Sequence, residues 1–248
     1  MTSDKTESEE RSPSDRESEQ IMFKWAIKAN ILFSPLGSPL FHYTSLATFN
    51  QILKTRKLWA SHFRYLNDVT EFRYAVQIIS ERIQSRQGEA TILQRATNAL
   101  GNLVPSDLLR GPYVISFSED GDSLSQWRGY CSHTAGVSMG FNSKMLSGQL
   151  SVMHDKTSGN EAVYGYLVQC IYEREEQYAL VDQLIDFLLE SIKDKDSDDP
   201  TCITHSSTFM SILPIIAPAF KDHAFRDERE WRIVVNSTSS SPKNAKFR

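Results

Sequence analysis

The chain has 248 residues, 40% of them hydrophobic, enough for one large domain or two small ones with a sizeable core. It carries 27 basic and 31 acidic side chains, and residues 1–20 hold three of the basic and seven of the acidic ones. Residues 21–248 are therefore balanced at 24 of each sign, which excludes a global basic field that would gather nucleic acid. The first twenty residues include no aromatic and one apolar residue, Met1, so that segment is expected to be a disordered acidic tail. With no apolar stretch it does not read as a secretory signal. Residues 21–32 are expected to form a short helix, and Pro35, Gly37 and Pro39 punctuate the loop after it. Leu40 to Thr44 reads as a strand. Ser45 is placed to cap a helix with Leu46, Phe49, Ile52 and Leu53 on one face, and Lys54, Arg56 and Lys57 close it where cations suit the carbonyl end of the dipole. Leu58 to Ser61 is a short extended piece. Asp68 or Thr70 can cap the next helix, whose apolar stripe is Phe72, Ala75, Val76, Ile79 and Ile83.

A further helix is expected through Leu93, Ala96, Leu100 and Leu103. Tyr113 to Phe117, Val137 to Phe141 and Val163 to Ile171 have the β-branched and aromatic content of strands. A long amphipathic helix carries Val181, Leu184, Ile185, Leu188 and Ile192, and the charged residues 194–200 close it. Phe209, Ile212, Leu213 and Ile216 mark another helix, which Pro214 and Pro218 are expected to kink or cut short. Trp231 to Val235 is the last strand. Strands and helices mix without a βαβ rhythm, and no glycine-rich phosphate loop is present, so the expected class is α+β, one globular domain over residues 21–248. The longest apolar run, residues 212–220, contains two prolines and is far short of the roughly 20 residues that span a bilayer. Cys131, Cys170 and Cys202 are odd in number and widely spaced, neither a disulfide framework nor a zinc pattern. A cytoplasmic setting with free buried thiols and no membrane partner is expected.

Four segments carry polar groups that packing alone does not ask for. In Phe41-His42-Tyr43-Thr44-Ser45, alternation puts His42 and Thr44 on one face of a strand. A lone histidine is ordinarily a satisfied structural residue. In Arg64-Tyr65-Leu66-Asn67-Asp68, followed by Glu71, the spacing from Asp68 to Glu71 fits a capping box. Residues 116–130, SFSEDGDSLSQWRGY, leave a strand, turn at Gly121, and present Asp122, Gln126, Trp127 and Arg128. In Glu228-Arg229-Glu230-Trp231-Arg232, two carboxylates at i, i+2 would share one face of a strand. Buried without partners they would be costly, so they face solvent, pair with Arg229 and Arg232, or serve a site.

Taken together, these segments resemble the bacterial family called domain of unknown function 2971, from about Phe41 to Val235. The motifs that carry the resemblance are FHYTS, YLND-x-x-EF, SFSED-x-D-x-LSQWR-x-Y, G-V-S-M-G-F and F-x-x-E-x-EWRIV. That family usually continues past the EWR strand with at least one more strand, so this chain is expected to lack its last strands. A more distant likeness is to the ADP-ribosyltransferase fold, on the strand bearing His42 and the late strand opening with Glu-x-Glu. It implies a central mixed or antiparallel split sheet flanked by helices and NAD as the substrate. It also implies Glu230 as the catalytic carboxylate, Glu228 orienting the acceptor, and a NAD-contacting surface of His42, Tyr43, Thr44, Tyr65, Asn67, Ser118 and Trp127. The implied role is that of a toxin, effector or phage-defence component, with a protein or nucleic acid as acceptor. Two other readings stay open: a metal-dependent nuclease using Asp68, Glu71, Asp122, Glu228 and Glu230, and a non-catalytic module that senses a nucleotide or binds a partner.

Overall fold

A computed structural model describes residues 38–63, 70–89, 91–94, 112–131, 135–149, 153–154, 162–193, 195 and 199–237. The expectations for residues 1–32, for Tyr65, Asn67 and Asp68, and for the helix beyond residue 94 lie outside them.

In chain order the elements are β1 (Pro39–Ser45), α1 (Leu46–Thr55), β2 (Ser61–His62), α2 (Glu71–Ser85), β3 (Tyr113–Ser118), α3 (Leu124–Cys131), β4 (Gly136–Asn142) and α4 (Ser143–Gln149). After these come β5 (Met153–His154), β6 (Ala162–Gln169), α5 (Arg174–Ser191), α6 (Pro200–Ile216) and β7 (Glu230–Ser237). The molecule is α+β, built on a seven-stranded sheet in the order β4-β1-β3-β7-β6-β5, with β2 also paired to β3. Every pair of named strands is antiparallel, and the one parallel contact described is the bridge between Ile171 and Phe220. One edge of β3 is shared. β2 takes its start at Tyr113 and Val114, and β1 takes its end at Ser118.

Alternation along the strands sends the side chains into two layers. On β7, Trp231, Ile233 and Val235 join Leu40, Ile115, Phe117 and Leu167 in one core. Val234 and, on β6, Val168 face the other way, into a larger core with α2, α5 and α6. The α2 stripe is buried at Ala75, Ile79 and Ile83 as its spacing predicts, and Ile78 joins it. Ser45 caps α1 as expected, its hydroxyl accepting from Thr48 N–H at 3.1 Å. The apolar face of α1 is not buried, however, and Leu46 and Leu53 are exposed.

Two expectations are corrected. α6 is not cut at Pro214 but runs to Ile216, and only Pro218 breaks the geometry, inside a 3-10 turn at Ala217–Ala219. Pro214 lies two residues before the helix end, where it removes one hydrogen bond and crowds the carbonyl one turn earlier, and burial of Leu213, Ile215 and Ile216 keeps the last turn packed despite that cost. The Glu-x-Glu segment is not wholly on a strand. Glu228 ends a 3-10 turn, His223–Glu228, and Arg229 follows with a positive φ of 41°, so only Glu230 belongs to β7.

Candidate functional site

At the start of β7 the sheet buries charge. Glu230 and Arg232 lie on the face that packs against the helices, and both are almost wholly inaccessible. Glu230 Oε1 accepts from Arg232 Nε at 2.9 Å, and its Oε2 accepts from Lys221 Nζ at 2.5 Å and Arg232 Nη2 at 2.9 Å. Arg232 Nη2 also donates to Glu71 Oε2 at 2.7 Å, and its Nη1 donates to the Pro218 carbonyl at 2.8 Å. Lys221 Nζ lies 3.3 Å from Glu71 Oε1 and bonds Glu228 Oε2 closely. Three carboxylates and two cations from α2, the segment after α6, the 3-10 turn and β7 thus form one closed network.

The local chain explains how these groups meet. Lys221 follows the bridge at Phe220, and its backbone N–H donates to Ile171 O at 3.1 Å. Gln177 of α5, fully buried, donates to the Ile171 carbonyl at 2.7 Å and the Lys221 carbonyl at 3.0 Å. With its backbone held at both groups, the lysine side chain points under β7. Glu71 opens α2 and reaches the network, while the capping box expected with Asp68 lies outside the described residues. The Glu228 carbonyl accepts from the buried Ser118 hydroxyl at 2.8 Å, so β3 fixes the turn that carries the carboxylate.

The three carboxylates are not equivalent. Burial pushes Glu230 toward protonation, but the charges and hydrogen bonds of Arg232 and Lys221 outweigh it and hold the group at about 2. Glu228 goes the other way. Burial raises it above the ordinary value, and the single ammonium of Lys221 does not offset that while Glu230 and Glu71 repel. Glu228 also keeps 23% of its side chain exposed, against 3% for Glu230 and 9% for Glu71. It is the member of the network that an incoming molecule can touch. On the same face, the hydroxyl of Tyr130 on α3 is pushed up to about 12 by burial and by the charge of Glu230, while its ring remains partly exposed.

The other expected site residues divide. Ser118↔Glu230 and Phe41↔Ser118 are cross-strand partners, so Phe41, Ser118 and Glu230 share one face of the sheet. His42 and Thr44 therefore point to the opposite face. There the His42 ring packs on Phe117 at 5.7 Å, and its Nδ1–H donates to Ser116 O at 2.9 Å. Burial lowers the His42 pKa despite that bond, which leaves a neutral imidazole. The sheet separates His42 from Glu230. Tyr43 and Trp127 do meet, edge to face at 4.8 Å, but Tyr43 serves the 119–123 loop. Its hydroxyl donates to Asp120 O at 2.6 Å and accepts from Ser123 N–H at 2.8 Å. Trp127 donates to Asp122 at 2.8 Å. Of the carboxylates proposed as metal ligands, Glu71, Glu228 and Glu230 converge, yet on the Lys221 ammonium, where a hard cation would have to sit. Asp122 is engaged elsewhere. Among the described residues no group of three or more candidate ligands could hold a metal ion.

Sequence reasoning did not single out Lys221, Tyr130 or Tyr172, whose hydroxyl accepts from the Glu230 N–H at 2.8 Å. The usable signal for Lys221 was its place directly after an apolar run, where a solvated lysine is unusual. No curated protein and no solved structure matches the chain significantly. Residues 126–233, from α3 to β7, match the family described as Protein of unknown function (DUF2971), and the matched stretch includes Lys221, Glu228, Glu230 and Arg232.

Proposed function

We propose that the chain is an ADP-ribosyltransferase-like protein acting at the ribosyl carbon of NAD, with Glu228 rather than Glu230 as the working carboxylate. The observation that carries this reading is the contrast within the network. Glu230 has both oxygens engaged by three hydrogen bonds from Arg232 and Lys221, whereas Glu228 is anchored through one oxygen and keeps 23% of its side chain exposed. When the nicotinamide–ribose bond breaks, the leaving ring takes the bonding electrons and positive charge builds on the sugar. An accessible carboxylate stabilises that charge, and a carboxylate with raised proton affinity can also take the proton of the attacking acceptor. The partly exposed ring of Tyr130 offers an aromatic surface for a flat base. In this reading Glu230, Lys221, Arg232 and Glu71 hold the end of β7 in place.

The test is incubation with labelled NAD and a cell lysate, using wild type, Glu228→Gln and Glu230→Gln, with melting curves for all three. Glu228→Gln should keep the wild-type melt and lose label transfer by about a hundredfold or more. Glu230→Gln should lose transfer only together with stability. Transfer indifferent to Glu228 in a folded protein ends the assignment. A second reading, a module that binds a nucleotide without turning it over, is favoured by the position of His42 behind the sheet, away from Glu230. NAD binding with no nicotinamide release under any acceptor would select it.

A further inference from the structure

Beyond the Glu228 side of the strand, the end of the sheet holds a cleft of about 590 Å³ whose lining takes in Glu230 but not Glu228, Lys221, Arg232 or Glu71. Its volume lies within the range of small-molecule sites, roughly 300–1,000 Å³. Ile171, Leu180 and Ala219 give it an apolar floor. On its wall, the Glu119 carboxylate is held by two neutral donors. Trp231 Nε1–H reaches Glu119 Oε1 at 2.8 Å, and Gln169 Nε2–H reaches the same oxygen at 3.3 Å. Trp231 is 2% exposed, so this anchor is rigid. Neither donor carries charge. Among the described residues Glu119 has no ion pair, both donors meet one of its oxygens, and the residue lines the cleft.

The rest of the rim has the same sign. Glu176, in the first turn of α5, is exposed and has no ion pair among the described residues. Glu173 lies 2.8 Å from His223 Nδ1. The two guanidiniums on the rim are each met by a carboxylate, Arg229 by Asp120 at 3.0 Å and Arg226 by Asp227 at 3.9 Å. Negative charge without a cation partner among the described residues therefore remains at Glu119 and Glu176, which line the cleft together with its apolar floor. An anionic ligand would meet both carboxylates, whereas a cation gains from each.

We infer that this cleft binds a small organic cation, an ammonium head carried on an apolar or aromatic body, with Glu119 as the fixed acceptor for the head. The body lies over Ile171, Leu180 and Ala219. The inference is independent of the chemistry proposed at Glu228, because none of its groups is shared with that carboxylate.

Titration calorimetry of the whole chain with tryptamine and with indole-3-acetate tests it, since the two probes have the same ring and opposite charge. Tryptamine should bind at least about tenfold more tightly. Glu119→Gln, which keeps an oxygen for Trp231, should weaken tryptamine by about tenfold and leave indole-3-acetate unchanged or improved. Glu176→Gln, on an exposed position that does not endanger folding, should weaken it by a smaller factor in the same direction. Equal or tighter binding of indole-3-acetate overturns the inference. So does tryptamine binding that neither substitution alters, or no tryptamine binding at millimolar concentration.

Discussion

A single residue decides how the buried network should be read. Among the described residues Lys221 is the only group that touches all three carboxylates, and it is nearly inaccessible. Burial opposes its charge, yet Glu230 and Glu71 overcome that and raise its pKa above the ordinary lysine value. Lys221→Met removes a cation, leaving Glu228 without its ion-pair partner and Glu230 and Glu71 with Arg232 alone. Loss of one partner from a buried pair costs about 3–5 kcal/mol, so urea denaturation should show a fall of that order, or no folded protein. Glu228→Gln, by contrast, removes a carboxylate that burial already disfavours, and its cost should stay within about 1 kcal/mol. The same logic fixes the pH dependence of any turnover. Because the Glu228 pKa is raised, the acidic limb of the rate profile should lie above the ordinary glutamate position. A limb at the ordinary glutamate position would remove Glu228 from the mechanism. Backbone strain offers a separate check at Arg56, which ends α1 with φ at 53° while its N–H bonds Ile52 O at 2.7 Å. Glycine adopts that conformation without a Cβ penalty, so Arg56→Gly should raise stability by roughly 0.5–1 kcal/mol in the same denaturation assay.

Elements were legible in the sequence where the signal is local. The period-2 pattern of Trp231 to Val235 and the i, i+3, i+4 stripe of α2 depend on one segment meeting one surface, and both appear in the fold. The hydroxyl of Ser45 and its N–H partner three residues on are likewise a short-range code. Relations between segments were not legible. Glu228 and Glu230 look alike at i, i+2, but the 3-10 turn ending in the left-handed Arg229 takes Glu228 off the strand. Lys221, nine residues before Glu230, brings the two back together. His42 illustrates the opposite failure. Its face of β1 follows from alternation, whereas which face of the sheet holds Glu230 depends on a register through β3 that no local pattern contains. One packing consequence of this register is testable. α3 lies against β4 so closely that a Cβ on Gly136 would overlap the Cys131 side chain. Gly136→Ala should therefore cost about 1–3 kcal/mol through displacement of α3. Cys131→Ala in the same background should recover part of it, because the overlapping sulfur is then gone. A double mutant no better than Gly136→Ala would show that α3 does not pack as described.

For the molecule as a whole, the network makes folding depend on acid in a way that surface charge does not. α2, β7, the 3-10 turn and the segment after α6 are tied together through ionised carboxylates, so protonation loosens contacts between layers rather than a single loop. Glu230 has a folded pKa of about 2 against an ordinary 4.5, so its ionisation stabilises the fold above the ordinary value. That contribution, on the order of 3 kcal/mol by linkage, is lost as pH falls from about 4.5 toward 2. Glu228 has the opposite sign, because its pKa is raised in the folded protein. The fold binds its proton more tightly than the unfolded chain does, and this favours folding as pH falls. The two effects partly cancel in the wild type. Far-UV circular dichroism melts between pH 6 and pH 2 separate them. Glu230→Gln should be less stable than wild type at pH 6 and should flatten the acid decline, since the group that must be protonated is gone. Glu228→Gln should be close to wild type at pH 6 and decline more steeply, since the compensating proton uptake is gone. Parallel declines for wild type and Glu230→Gln would mean that acid sensitivity arises elsewhere, and that the Lys221–Glu230–Arg232 contacts do not hold these layers together.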